Sequence, residues 1–148
     1  MRVADHAVRK THRSLGFQYR SQAGGAGFAS AVDGFAHYRG GDFARAIEVH
    51  TPQTGNSSAY ISTFAGDVLA LAKHQLGQTA EARASLDCAD VIAVAAFPPP
   101  GADLGVFWQD VLFCRLLLKE ARDLIAPGTQ PPPPPPSVLA PLHARAGR

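Results

Sequence analysis

Apolar residues recur at intervals of three and four from Phe28 onward, and Phe28, Ala31, Val32, Phe35 and Tyr38 trace one face of a helix that Gly40-Gly41 stops. Gly34 lies inside that helix, where it costs about 1 kcal/mol relative to Ala, so its expected use is to let a neighbouring helix come close. Asp42 can cap a second helix that presents Phe43, Ala46, Ile47 and His50 on one side and ends at Thr51-Pro52. A polar loop is expected over 52–57. Ser57 or Ser58 then starts a third, longer helix with the stripe Ile61, Phe64, Ala65, Val68, Leu69, Ala72 and Leu76. Gly77 ends it, Thr79 is the expected cap of a fourth, and Ala82, Leu86, Ala89 and Ile92 face inward from there. Pro98-Pro99-Pro100-Gly101 breaks the chain. Asp103 opens a fifth helix with a wide apolar face from Phe107 and Trp108 to Leu124 and Ile125.

The ends read differently. Residues 1–27 have weak periodicity and finish on Gly24, Gly25 and Gly27, with at most a short helix at 4–13. Pro131 to Pro136 favours an extended polyproline form. The expected organisation is a poorly structured basic segment at 1–27, a helical domain at 28–126 and a proline-rich, disordered tail at 127–148.

Charge separates along the same lines. The chain has 148 residues and a formal net charge of +2. Arg2, Arg9, Lys10, Arg13 and Arg20 against Asp5 give the start +4, Arg145 and Arg148 give the end +2, and the helical body is left at −4. A body of that sign lacks the electrostatic footprint of a nucleic-acid partner. The run 91–97 (VIAVAAF) is too short to span a bilayer, and no apolar run follows the basic start as in a secretory signal. The expectation is therefore a cytoplasmic chain with no membrane partner, whose two cysteines, Cys88 and Cys114, are buried and reduced.

One short segment recurs, with its glycine and two alanines in the same places. Gly41-Asp42-Phe43-Ala44-Arg45-Ala46 recurs as Gly77-Gln78-Thr79-Ala80-Glu81-Ala82, 36 residues on. Both turns are short, so the helices they join must fold back antiparallel, and each hairpin must close its open apolar face by stacking on another. Phe43, Phe64 and Leu86 are expected in one shared seam, with Ala46, Ala82 and Ala89 where backbones approach closely.

On these residues the chain resembles the tetratricopeptide repeat, a helix–turn–helix unit with Gly-Asp/Asn-aromatic at its turn and a small Ala three residues later. Gly41-Asp42-Phe43 and Ala46 fit that pattern; in the second copy Thr79 replaces the turn aromatic. More narrowly, 70–89 (ALAKHQLGQTAEARASLDCA), Trp108-Gln109-Asp110 and Leu118-Lys119-Glu120-Ala121 resemble the carboxyl-terminal repeats of large bacterial proteins, planctomycete ones above all, which often carry a kinase upstream. The resemblance covers about 34–125. It implies an all-α fold, a short solenoid of stacked antiparallel hairpins with an additional C-terminal helix, and a groove lined by the first helix of each unit that holds a peptide or helix from another protein. Tyr38, Arg39, Tyr60, Asp67 and Lys73 are the exposed polar candidates for that surface.

Chemistry is sparse. The glycines at 24, 25 and 27 have no following Gly-Lys-Ser/Thr, so no phosphate loop is expected. His37 and His50 could approach across a hairpin, but solvated or hydrogen-bonded histidines are the default reading. Asp87 and Asp90 share a helix face without a nucleophile and read as solvated, and Ser57, Ser62 and Ser85 lack a base. No cofactor and no metal is expected. Trp108 has two readings, sealing the open end of the last hairpin or anchoring a partner. The sequence thus points to a non-enzymatic protein–protein interaction module, and alternatively to the structural end of a larger multidomain protein that self-associates.

Overall fold

The computed structural model describes residues 26–129, and among these residues the chain is helical with no strand. Five α-helices follow in order: α1 (Ala26–Arg39), α2 (Phe43–His50), α3 (Ala59–Gln75), α4 (Thr79–Ala96) and α5 (Trp108–Ile125). Two short 3-10 helices, Thr51–Gly55 and Gly105–Phe107, sit in the connections. The expected basic segment and proline-rich tail fall outside the described residues, apart from 26–27, which open α1, and 127–129, which follow α5.

The recurring segment makes the same turn twice. Gly41 and Gly77 take positive φ, 84° and 74°. In the first turn the Asp42 amide donates to His37 O and the Gly41 amide to Tyr38 O; in the second the Gln78 amide donates to Lys73 O and the Gly77 amide to His74 O. This reciprocal pattern satisfies the last carbonyls of each preceding helix and reverses the chain. The hairpins α1–α2 and α3–α4 result. Asp42 caps α2 as expected, its carboxylate accepting from the Arg45 amide at 3.2 Å.

Helix α3 is the axis of the molecule and packs against all four other α-helices. Its residues 61–72 are all buried, because it is covered from every side rather than on one stripe. Side chains from all five helices meet in one core: Ala31 and Tyr38, Ala46, Phe64, Val68 and Leu71, Leu86, then Cys114, Leu117 and Ala121, with Phe43 against its edge. Phe43, Phe64 and Leu86 thus share one seam. Backbones approach where residues are small: a methyl at Gly66 would sit 3.0 Å from Ala89 Cβ.

Several local expectations need correction. The stretch after Pro52 is not an open loop, for 51–55 continue as a 3-10 turn, with Thr51 Oγ1 donating to Ile47 O at 2.7 Å. Proline at the start of that turn forfeits an N–H the turn does not need. Thr79 is the first residue of α4 and Gln78 its cap position, while Asp103 closes a turn before the second 3-10 helix by accepting from the Gly105 amide at 2.9 Å. Cys88 is exposed; Cys114 alone is buried. Asp90 is not on a solvated face: it is 9% exposed and receives two hydrogen bonds from Arg122 of α5. Asp87 does face solvent, paired with Arg83 at 3.0 Å. No described helix is long and apolar enough to cross a membrane.

Candidate functional site

An apolar groove of about 620 Å³ opens where α1, α3 and α5 come together. One wall is Phe28, Ala31, Val32 and Phe35 of α1, spaced by the same threes and fours that define the helix. The far wall is Phe107, Gln109, Asp110, Phe113 and Cys114 at the start of α5. Between them lie Asn56, Ser57, Ser58, Tyr60, Ile61 and Phe64, from the approach to α3 and its first two turns.

The floor is aromatic. Phe35, Phe64 and Phe113, one from each helix, form a triangle with centroids 5.5 to 5.8 Å apart. Phe64 and Phe113 stack at 17°, and Phe35 meets Phe113 edge-on at 81°. Such geometries suit the ring quadrupoles and add to the area each ring buries. Tyr60 stacks on Phe97 at 5.4 Å and touches Phe107 at 5.5 Å, so the connection between α4 and α5 is tied to the groove. Arg115 Nη2 donates to Pro98 O and holds the same connection from the other side.

The rim is pinned by local hydrogen bonds. Asn56 Oδ1 accepts from the Ser58 amide at 2.9 Å, and Ser62 Oγ donates to Asn56 O at 2.7 Å. The Cys114 thiol donates to Tyr60 O at 3.5 Å, and burial pushes its pKa up, so it is a packing thiol rather than a nucleophile. Asp110 is the one charged residue among those described around the groove. Val32, Phe107 and Phe113 remain 49%, 41% and 46% exposed although large and apolar.

The residues singled out in the sequence separate into four sets. Tyr60 lines the groove. Arg39 and Lys73 lie outside it: Arg39 pairs with Glu120 at 2.9 Å while its guanidinium covers the Phe35 ring at 5.0 Å, and Lys73 donates to Ser85 Oγ at 3.0 Å. Tyr38 and Asp67 were expected at the surface and are instead buried, at 7% and 0% exposure. Helix α1 is covered on two sides, by α2 and α3, which takes Tyr38 in; Asp67 faces into the packing around α3. Trp108 does not seal the core. It is 49% exposed, and the side of α5 that closes the core is Val111, Cys114, Leu117, Leu118 and Ala121. Phe35, Phe113 and Phe107 were missed as site residues, because an apolar residue at helical spacing reads as core until the third wall is in place.

Three buried polar side chains lie away from the groove. Asp67 and Thr63, one turn apart on α3, have no hydrogen-bond partner among the described residues and no exposure. Burial, and next the Asp90 carboxylate, push the Asp67 pKa well up, and its lack of exposure shuts it off from any substrate. His50 is equally enclosed, and burial lowers its pKa to about 4. Among the described residues no cluster of histidine, cysteine and carboxylate could hold a metal ion. Compared with known proteins, the chain matches no family model, no curated protein and no solved structure.

Proposed function

We propose that the chain is a non-enzymatic protein–protein interaction module of tetratricopeptide-repeat type, with the groove between α1, α3 and α5 as its binding surface for a peptide or helix. The observation that carries the reading is the half-exposed aromatic and aliphatic lining, Val32, Phe107 and Phe113, around the cluster of Phe35, Phe64 and Phe113 rings. Apolar area left open beside a rigid floor gains by being covered, at roughly 25 cal/mol per Å². The lining offers a ligand almost no charge and only a few polar atoms at its rim, which suits apolar side chains and gives bond-making chemistry no purchase. The repeated turn supports the family reading, since both copies take one hydrogen-bond pattern.

Selection of peptides from a displayed random library against the full chain tests this. Enriched peptides should be rich in apolar residues and lose at least tenfold in affinity to chains carrying Val32→Asp or Phe113→Asp, with the helical circular dichroism retained. Peptides that bind both variants as well as the unaltered chain would place recognition elsewhere.

A second reading is the self-associating structural end of a larger protein. It draws on Trp108, Leu112 and Leu116, spaced by fours on α5 and exposed at 49%, 41% and 66%. Sedimentation velocity over a hundredfold dilution should then show a mass that falls with concentration and becomes monomeric throughout in Leu116→Glu. A single monomeric species at all concentrations would remove this reading.

A further inference from the structure

The groove's near wall is also where the described chain begins. Ala26 opens α1, and Phe28, two residues on, already lines the groove. The sequence just upstream is Leu15-Gly16-Phe17-Gln18-Tyr19-Arg20. Leu15, Phe17 and Tyr19 alternate with small or polar residues, the spacing that puts three apolar side chains on one side of an extended segment. Five residues, Ser21 to Gly25, connect it to Ala26. Extended, they reach roughly 17 Å, and α1 from Ala26 to Phe35 advances roughly 14 Å, so the connection is long enough to double back along that wall.

Charge points the same way. Residues 1–25 hold Arg2, Arg9, Lys10, Arg13 and Arg20 against Asp5, a net +4, whereas residues 26–129 hold seven basic and eleven acidic residues, a net −4. Asp110 brings one of those carboxylates to the groove itself.

We propose that the segment Leu15–Arg20 of this same chain occupies the groove in cis, setting Leu15, Phe17 and Tyr19 over the Phe35–Phe64–Phe113 floor, and that an external peptide must displace it. The proposal rests on the groove being a peptide site. A tether of five residues gives an effective concentration in the millimolar range, so a segment of weak intrinsic affinity still fills the groove most of the time. The module is then self-masked, and its ligands are those whose affinity overcomes that occupant.

Paramagnetic broadening in the full chain tests it. A nitroxide is placed at position 18 through Gln18→Cys in a Cys88→Ser background, leaving the buried Cys114 unlabelled. The amides of Ser58, Gln109 and Asp110 lie at the groove but far from position 18 in sequence, and they should lose at least half their intensity, whereas Glu81 and Asp87 on α4 should not. The triple substitution Leu15→Ser, Phe17→Ser, Tyr19→Ser should abolish the broadening with the helical circular dichroism unchanged. A synthetic peptide spanning Arg13–Ser21 should then shift the groove amides of the triple variant and bind the unsubstituted chain at least tenfold more weakly.

Absence of broadening at Ser58, Gln109 and Asp110 overturns the proposal. So does broadening between a spin-labelled chain and a separate isotope-labelled one, which would make the occupant a second copy. So does a shift of the groove amides on replacing Pro131–Pro136 by serines, which would make it the proline run. If the groove amides respond to library-selected peptides but not to the label, self-masking fails and the peptide site stands; if they respond to neither, both readings fall.

Discussion

Gly34 of α1 lies against the imidazole of His50 in α2: a methyl group on its α-carbon would sit 2.5 Å from Nε2 and 2.6 Å from Cδ2. The ring cannot step aside, because His50 is fully buried and its other side meets Phe64 at 5.7 Å. Gly34→Ala should therefore destabilise the chain by about 1–3 kcal/mol through overpacking, despite the roughly 1 kcal/mol that alanine gains in helix propensity. Urea unfolding gives the magnitude. In a His50→Ala background the same substitution should be neutral or stabilising, and equal costs in both backgrounds would mean the contact is not what keeps glycine there.

The same histidine makes stability depend on acid. Its folded pKa is about 4, depressed by burial from the ordinary 6.5, so the unfolded chain takes up a proton first as pH falls. The contribution is intact above pH 6.5 and is lost between there and pH 4, amounting to roughly 3 kcal/mol when complete. Denaturation midpoints at several pH values across that window, compared between the chain and His50→Gln, should diverge at the top and converge at the bottom. Parallel curves would sink the assignment.

Asp67 works in the opposite direction. Its folded pKa is raised, by burial first and the neighbouring Asp90 carboxylate second, so the folded chain holds a proton that the unfolded chain releases. Stability is full below the ordinary aspartate pKa and declines as pH rises toward the folded value. Asp67→Asn, which keeps the shape and removes the titration, should stabilise the chain at pH 7 by about 1–3 kcal/mol and make little difference at pH 3. The difference between the two proteins as a function of pH is the measurement, and it isolates Asp67 from His50 because His50 is common to both.

The helices and their turns could be read from the chain because what sets them is local. Gly41 and Gly77 take the left-handed conformation that ends a helix, Asp42 supplies a cap three residues from its donor, and the apolar spacing of α1 and α3 repeats every turn. The groove could not be read so far. Its third wall depends on how α5 returns across α3, and that follows from the contacts of Tyr60 with Phe97 and Phe107 and of Arg115 with Pro98, residues 17 to 47 positions apart. Asp67 and Asp90 were illegible for the same reason. A carboxylate in an otherwise apolar stripe gives no sign of being buried, and the cation beside Asp90 lies 32 residues along the chain. Spacing tells which residues share a face; it does not tell how many faces of a helix will be covered.

Two arginine–carboxylate pairs separate that last point experimentally. Arg122 joins α5 to α4 through Asp90, with side-chain exposures of only 22% and 13%, whereas Arg39 joins α1 to α5 through Glu120 at 53% and 32%. Removing Arg122 leaves the Asp90 carboxylate largely shielded from water without its partner cation, and some of that cost is relieved by residual solvent. Arg122→Ala should therefore cost about 2–4 kcal/mol. Arg39→Ala exposes Glu120 to water that already reaches it, and should cost no more than about 1 kcal/mol, including the packing lost over Phe35 and Tyr38. Raising salt from 50 mM to 500 mM should erase much of the Arg39 effect and little of the Arg122 effect, since screening acts on exposed charges. Equal costs for the two substitutions, or an Arg122 effect that disappears with salt, would show that the α4–α5 pair is as open to solvent as the one on the surface.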